Sequence, residues 1–296
     1  MLRSLFSGVS GMRNQQTKLD VIGNNIANVN TTAFKGARVT FKDMLNQTLQ
    51  GASDSASGKG GINPKQVGLG VAIAAVDTNM NQGALQSTGR STDLAIEGNG
   101  FFVISDGNET RYTRDGSFSI DKNGYLVTSE GYHVMGLTAS NITASPPNLS
   151  SSAAITVPNP ISSLDNIRIP LEASVDGVDS KLTSFSIDQD GKIKAIYGDK
   201  TVEVGIITLA NFQNPAGLTK LGGNSYKESS NSGAAEFGTA TSSGYGNIQQ
   251  GLLEMSNVDL ANEFTEMIIT SRAFQANSRT ITTSDEMLQE LLNLKR

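Results

Sequence analysis

Cysteine and tryptophan are absent from this sequence of 296 residues, and histidine occurs once, at His133. Without cysteine, the chain has no disulfides, no thiolate metal ligands and no cysteine nucleophile. A single histidine excludes zinc sites built on several histidines, and no Gly-x-Ser-x-Gly motif accompanies it to indicate a serine hydrolase. We therefore predict no metal site, no cofactor and no catalytic residue.

Long apolar runs are also lacking, and aromatic residues make up only 6% of the chain. No stretch is long and apolar enough for a membrane span, so we expect no membrane insertion. The first eight residues carry one positive charge but no sustained apolar stretch, unlike a cleaved secretory signal. If the protein leaves the cell, we expect it to use a route without a cleaved signal.

The two ends of the chain differ in charge. Residues 1–42 contain six basic residues and one acidic residue, whereas residues 252–296 contain four basic and seven acidic residues. The basic residues are spread thinly and without aromatic residues between them, which argues against a nucleic-acid site. We predict instead that the two ends attract each other.

Glycine, by contrast, is abundant, with 31 residues against seven prolines. This composition favours many turns and short strands, and we predict strands at 71–77, 93–97, 100–105 and 201–210. Alternating patterns at 117–127 and 184–193 predict two hairpins. In the first hairpin, Phe118 and Ile120 would face the core, and Asn123-Gly124 predicts a type I′ turn.

The C-terminal segment has the strongest periodic pattern. An apolar residue recurs at every seventh position, which predicts one long helix. Either Ser256 or Asp259 is suited to cap its first turn. The positions four residues after this series widen its apolar stripe in part. The series consists of Leu253, Leu260, Met267, Phe274, Ile281 and Leu288.

A second series of this kind predicts a helix at the N-terminus. It consists of Leu5, Met12, Leu19 and Ile26, with Ile22 widening the stripe. Gly8, Gly11 and Gly23 weaken this helix, because glycine costs about 0.8 to 1 kcal/mol relative to alanine. We therefore expect the segment to need a partner, namely the C-terminal helix. Both series together are our predicted polymer interface.

These patterns predict an α+β fold with a discontinuous helical part. Residues 1–33 and 252–296 would form a terminal helical polymerisation domain with a coiled-coil-like layer. Residues 34–70 would be a linker region, and 71–251 a mainly antiparallel β outer domain with an insertion at about 138–182. At ~1.5 Å per residue the C-terminal helix would extend roughly 50 Å, which favours packing against several neighbours over burial in one monomer.

Other classes of function have weaker support. The segments beginning at Asp121 and Asp188 resemble the start of calcium loops, but the later ligand positions do not fit, and tight turns explain them better. A hydrolase built on Asp93 and Glu97 has no supporting spacing. A secreted adhesive or carbohydrate-binding β protein would need exposed aromatic residues, which are scarce here.

Three segments resemble one known family. Residues 19–35 read LDVIGNNIANVNTTAFK, residues 87–102 read STGRSTDLAIEGNGFF, and residues 251–260 read GLLEMSNVDL. The first resembles the N-terminal signature of bacterial flagellar rod and hook proteins, which usually has glycine where Ala33 stands. The other two are similar to the start of that family's β domain and of its C-terminal helix. The resemblance covers most of the chain apart from about 138–182.

The resemblance implies a structural subunit rather than an enzyme. Residues 36–44 and 68–71 resemble the compact hook proteins, which implies a hook subunit that polymerises into a curved tube and transmits torque from rod to filament. The short β region is more similar to the distal rod protein, which is the alternative. Implied partners are copies of the chain, other axial proteins (rod, hook cap and hook–filament junction) and the flagellar type III export apparatus. The implied location is the extracellular hook or the basal body.

Overall fold

The computed structural model describes residues 2–52, 54, 60–139, 147–149, 155, 157–158, 161 and 163–294. The chain divides into two compact units. We call Met1–Val29, Gly36–Asn79 and Val258–Arg296 the helical unit, and Asn30–Lys35 with Met80–Asn257 the sheet unit. Parts of the predicted insertion at 138–182, including 140–146 and 150–154, lie outside the described residues.

The helical unit contains both long helices and four strands. These are α1 (Leu2–Ala27), β1 (Ala37–Asp43), β2 (Asn46–Gln50), β3 (Lys65–Gly68), β4 (Val71–Thr78) and α2 (Leu260–Asn293). β1 pairs with β4 and β2 with β3, both antiparallel. Helix α1 is tied to the first pair, because the side-chain amide of Asn25 donates to the carbonyl of Ala37 (2.8 Å) and that of Asn14 donates to Val71 (2.7 Å).

The sheet unit contains the remaining strands and one short 3₁₀ helix, Pro215–Gly217. The strands are β5 (Leu85–Ser87), β6 (Leu94–Glu97), β7 (Phe101–Ser105), β8 (Thr110–Thr113), β9 (Ser119–Ile120), β10 (Leu126–Val127), β11 (His133–Thr138), β12 (Asn148–Leu149), β13 (Asp165–Asn166), β14 (Glu172–Val175), β15 (Val178–Ile187), β16 (Lys192–Tyr197), β17 (Lys200–Asn211), β18 (Thr219–Gly222), β19 (Ser225–Lys227), β20 (Glu236–Thr239), β21 (Asn247–Gln250) and β22 (Leu252–Glu254). The strands predicted at 71–77, 93–97, 100–105 and 201–210 are confirmed as β4, β6, β7 and β17.

Most of these strands form one large sheet. Its path runs β12-β14-β15-β16-β17-β11-β7-β8-β19-β18, and β9, β10, β13 and β20 pair off that path. The pairings are antiparallel except for β12 with β14. Two smaller pairs, β6 with β21 and β5 with β22, complete the unit. A mainly antiparallel sheet domain with a helix from each chain end is the predicted fold class, which is confirmed.

The core of the sheet unit is built from strand residues. Some strands bury every second residue, and others bury several consecutive residues. β17 is buried at every residue from Val204 to Ala210, and it lies between β16 and β11 in the interior of the sheet. Phe102 and Phe118 meet edge to face with ring centroids 5.1 Å apart. The prediction that Phe118 faces the core is therefore confirmed.

Both predicted hairpins form, but the turn type predicted for Asn123-Gly124 is wrong. β9 pairs with β10 across this turn, yet only Gly124 has a positive φ (85°), whereas a type I′ turn requires it at both central residues. The amide of Gly124 donates to the carbonyl of Asp121 (3.1 Å), and the side chain of Asp121 accepts from the amide of Asn123 (2.9 Å). The aspartate therefore stabilises a longer loop with one left-handed glycine.

Among the described residues, neither helix contains a segment apolar and long enough to cross a membrane.

Candidate assembly surface of the helical unit

Helix α2 begins at a defined cap. The side chain of Asp259 accepts from the backbone amides of Ala261 (3.0 Å) and Asn262 (3.4 Å), which confirms Asp259 as the cap. Leu253 precedes this cap and lies in β22, paired with β5. The predicted place of Leu253 in the helical stripe is therefore wrong, because the seven-residue spacing continues across a strand and a turn by coincidence.

Helices α1 and α2 run antiparallel, as three contacts along their length show. The hydroxyls of Ser4 and Ser284 are 3.5 Å apart, near the start of α1 and the end of α2. The ammonium of Lys18 pairs with Glu266 at 2.5 Å. Toward the other end, the amide of Asn25 donates to the carboxylate of Glu263 at 3.0 Å.

A line of small and polar residues on α2 faces α1. Thr270 and Ser284 are the buried residues of α2, and Asn277 lies against Gly11. With Glu263, these residues recur at every seventh position, three after Leu260, Met267, Phe274 and Ile281 of the apolar series. The sequence pattern instead predicts that the apolar stripe of α2 widens at the positions four residues after the apolar series. Phe264 and Leu292, at two of those positions, are 47% and 69% exposed.

The predicted interface residues are placed unevenly. Ile22 is buried, and Leu260 is 39% exposed. The other helical members are half-buried: Leu5, Met12, Leu19, Ile26, Met267, Phe274, Ile281 and Leu288. Pairing within one chain therefore covers much of the predicted interface, and its role between subunits stays a prediction.

Two of the three glycines in α1 permit close approach of α2. A Cβ atom on Gly8 would lie 3.2 Å from Cγ1 of Ile281, and one on Gly11 would lie 2.7 Å from Nδ2 of Asn277. A Cβ atom on Gly23 would have no atom within 4 Å. Gly8 and Gly11 therefore serve packing, a role that helix propensity alone does not indicate.

The different surroundings of Gly23 and Gly11 predict that substitutions at these two positions have opposite effects on the stability of the helix pair. Gly23→Ala should raise the free energy of unfolding by about 0.5–1 kcal/mol, because alanine favours the helix and the space is open. Gly11→Leu should lower it by about 1–3 kcal/mol, because the side chain forces the helices apart. Thermal unfolding followed by helical circular dichroism measures both. Equal effects of the two substitutions would contradict the packing role.

The exposed apolar side chains concentrate in the helical unit. Among the described residues, the sheet unit exposes only Val157, Leu171, Val178 and Leu221 of this class. The helical unit exposes all the others: Phe6, Phe41, Met44, Leu45, Leu49, Ile62, Val67, Leu69, Val76, Leu260, Phe264, Ile268, Ile269, Met287, Leu291, Leu292 and Leu294. Apolar surface on this scale marks a protein–protein interaction site.

This apolar surface has two patches on α2. Phe264 and Ile268 are one helical turn apart near its start, and Ile268 is 63% exposed. Leu291 and Leu292 lie near its end. Ile269 adjoins the first patch and Met287 the second. Between them, the exposed residues other than Ala276 are polar or charged, as at Arg272 and Arg279. An isolated chain leaves both patches in water, so they are suited to contact other chains.

The family signature at 19–35 ends in a buried ion cluster of the sheet unit. The ammonium of Lys35 lies 2.5 Å from Oε1 of Glu254 and donates to the carbonyl of Asn81 at 2.8 Å. Arg114 reaches the other carboxylate oxygen at 3.5 Å and donates to the carbonyl of Gly98 at 2.7 Å. Lys35 and Glu254 are 1% and 0% exposed. This cluster joins residues just before β1 to residues just before α2.

Burial dominates the electrostatics of this cluster. It lowers the pKa of Lys35 and that of Arg114 from their ordinary values, and the carboxylate of Glu254 opposes both shifts. Oε1 of Glu254 also accepts from the amide of Gly83 at 2.8 Å, and Arg114 contacts Oε2, so both oxygens have partners. The sequence contained a signal for the cluster, since both charges lie within the recognised motifs, but it did not indicate that they pair.

Ala33 has a backbone conformation that favours glycine. Its φ is +55°, it is 1% exposed, and its amide donates to the carbonyl of Glu254 at 2.7 Å. The left-handed region costs a non-glycine residue roughly 1 kcal/mol or more. The small side chain at this position is therefore required by both the turn and the packing.

The carboxylates considered for hydrolysis make structural contacts. Asp93 is buried and accepts from the hydroxyl of Thr88 at 2.6 Å. Glu97 accepts from the side-chain amide of Gln249 at 3.1 Å, across the β6–β21 pair. These contacts stabilise the strands and the turn in which the residues lie.

The sequence matches three family models, one near each end of the chain and one in its middle. They are Flagella basal body rod protein (residues 5–35), Flagellar hook protein FlgE/F/G D1 domain (95–195) and Flagellar basal body rod FlgEFG protein C-terminal (249–294). The second match includes residues 138–182, the segment that the three resembling motifs did not cover. The crystal structure of Helicobacter pylori flagellar hook protein FlgE2 is 11% identical and covers 57% of this chain and 100% of that chain, with a TM-score of 0.41.

Curated relatives match along the whole chain. The flagellar basal-body rod protein FlgG of Bacillus subtilis (strain 168) is 49% identical and that of Borreliella burgdorferi is 40% identical, each with 100% of both chains covered. The flagellar hook protein FlgE of Borreliella burgdorferi is 33% identical, also with 100% of both chains covered. This chain therefore belongs to the family of flagellar rod and hook proteins, the structural proteins of the flagellar basal body and hook.

Proposed function

We propose that this chain polymerises with copies of itself into a tube, and that the helical unit forms the contacts between copies. The observation that supports this proposal is the concentration of exposed apolar side chains in the helical unit. Burying apolar surface contributes about 25 cal/mol per Å², so such a surface favours association strongly. Contacts between non-equivalent faces that do not close into a ring produce an open helical tube.

Within the family, we propose the distal rod as the location of this subunit. The alignment with the Bacillus subtilis rod protein extends over 298 positions, close to the length of this chain. The alignment with the Borreliella burgdorferi hook protein extends over 441 positions. Rod relatives thus match without long segments that this chain lacks. The family resemblance of residues 36–44 and 68–71 favours the hook instead, with the rod as the alternative.

A curved hook subunit is the second candidate. The resemblance of residues 36–44 and 68–71 to compact hook proteins favours it. In that case the sheet unit would slide against its neighbours as the hook bends, and the subunit would transmit torque to the filament.

Electron microscopy of a tagged chain separates the two candidates. The two-residue turn at Asp176-Gly177 is suited to a small epitope, because a Cβ atom on Gly177 would have no atom within 4 Å. A strain carrying only the tagged protein would be labelled with gold on isolated basal bodies. Label on the straight segment inside the basal body is expected for a rod subunit. Label on the curved external segment would contradict the rod and support the hook.

Assembly of this kind also implies the partners of the chain, its route of export and its structural role. The partners are copies of the chain and the axial proteins at either end of its segment, which for a hook subunit include the cap and the hook–filament junction. Export passes through the flagellar type III apparatus. The role is structural, with no catalytic step and no cofactor.

A further inference from the structure

The end of α2 extends past the start of α1. Since Ser284 lies opposite Ser4 and α1 begins at Leu2, about the last two turns of α2 have no length of α1 beside them. Leu291, Leu292 and Leu294 in this segment are 51%, 69% and 83% exposed. We call residues 286–294 the tail. It also carries the exposed acidic residues Glu286 and Glu290.

A groove of the helical unit offers a complementary surface. It has a volume of about 410 Å³ and lies between α1 on one side and the start of β4, with Met44 and Leu69, on the other. Its larger apolar lining residues are Phe6, Val9, Met44, Leu69, Val71 and Ile73. Phe6 is 71% exposed, so the groove is open to solvent.

The walls of this groove are fixed in place. The side-chain amide of Asn14 donates to the carbonyl of Val71 at 2.7 Å. Gly70, with a φ of +134°, lies so close to α1 that a Cβ atom there would lie 2.4 Å from the hydroxyl of Ser10. A preformed groove reduces the entropy lost when it is filled.

Arg13 supplies a positive charge at the groove. It is exposed, and its guanidinium makes no ion pair or hydrogen bond with any part of the chain that the structure describes. The tail is apolar with two acidic side chains and no basic one, and Lys295 and Arg296 follow it in the sequence. The groove is apolar and carries the positive charge of Arg13. Complementary charges of this kind set register and partner choice between two surfaces.

The groove and the tail of one chain are too far apart to meet. Gly11 lies opposite Asn277, so Arg13 is alongside that part of α2. Glu290 follows thirteen residues later, which corresponds to about 20 Å along the helix axis. The tail that fills the groove must therefore come from a second copy.

We propose that the groove binds the tail of a neighbouring copy, with Leu291, Leu292 and Leu294 against its apolar lining and Glu286 or Glu290 paired with Arg13. This inference rests on the proposed assembly of identical subunits. It adds a directional contact, because the groove and the tail are different surfaces. Each copy then offers its own groove to one neighbour and its tail to another.

Cysteine cross-linking tests this contact directly, because the chain has no cysteine of its own. In the full-length chain, Val9→Cys with Leu292→Cys places one thiol in the groove and one on the tail. Gly8 lies opposite Ile281, so the two positions are about 16 Å apart within a chain, beyond disulfide reach. Mild oxidation of assembled particles should give a ladder of multimers on a non-reducing gel. The control pair, Val9→Cys with Thr265→Cys, should give none.

Charge reversal provides an independent test. Arg13→Glu should lower recovery of the chain in assembled particles by about tenfold, and adding Glu286→Arg and Glu290→Arg should restore it. A failure of the wild-type chain to assemble with itself would count against the proposed function. Normal assembly without a ladder, cross-links to a different protein, or no rescue by the combined variant would overturn the tail-in-groove contact alone.

Discussion

Glu254→Ala is expected to lower the free energy of unfolding of the sheet unit by about 3–5 kcal/mol. The substitution leaves Lys35 and Arg114 buried without their shared carboxylate, and it removes the acceptor of the Gly83 amide. Breaking one side of a buried ion pair costs far more than the pair contributes, because the remaining charge cannot be solvated. Urea unfolding followed by tyrosine fluorescence measures the effect, since all six tyrosines lie in the sheet unit and the chain has no tryptophan.

A surface ion pair provides the matched control. Lys181 and Glu172 lie 3.3 Å apart with side chains 85% and 70% exposed. Glu172→Ala should therefore change stability by less than about 1 kcal/mol. Similar losses for Glu172→Ala and Glu254→Ala would contradict the role assigned to the buried cluster.

The buried cluster also predicts the sign of a pH dependence. Burial already lowers the pKa of Lys35 from 10.5, and removing Glu254 takes away the group that opposes this shift. Between the folded and unfolded pKa values the unfolded chain binds more protons, so stability rises with pH in that window. The deficit of Glu254→Ala relative to the wild-type chain should therefore shrink as pH rises toward 10.5. A deficit that grows over this range would contradict an unpaired Lys35.

Local patterns in the sequence predicted the helices and the main strands well. A seven-residue apolar series is typical of a helix with one covered face, and Asp259 has a side chain suited to cap a helix start. The same pattern misplaced Leu253, because spacing alone does not show where a helix begins. Residues 34–70, assigned to a linker, carry β1, β2 and β3, whose partners were not evident from local alternation.

Contacts between distant residues were the part that the sequence did not reveal. Lys35 and Glu254 are separated by 219 positions, and Gly11 and Asn277 by most of the chain. A glycine in a helix has the same propensity whether it faces solvent or another helix, so Gly11 and Gly23 were indistinguishable. Positive φ at both central residues, as a type I′ turn requires, occurs at Asp176-Gly177 and at Gly223-Asn224 rather than at Asn123-Gly124.

Charging the first apolar patch of α2 is expected to abolish assembly. Phe264→Asp with Ile268→Asp places two carboxylates on a surface that neighbouring copies would bury, and a buried unpaired charge costs several kcal/mol per ion. Both side chains are exposed in the single chain, so the helix pair should still form. Met267 and Phe274 are less suitable positions, because they are half-buried in the chain itself.

The most direct measurement is the recovery of this double variant in isolated basal-body particles, compared with a control of equal charge on the polar face. Thr282→Asp with Gln275→Asp provides that control, since both positions are exposed and already polar. We expect the control to be recovered at the wild-type level, whereas the patch variant should be folded by circular dichroism but absent from the particles. Recovery of the patch variant at the wild-type level would contradict assembly through the helical unit.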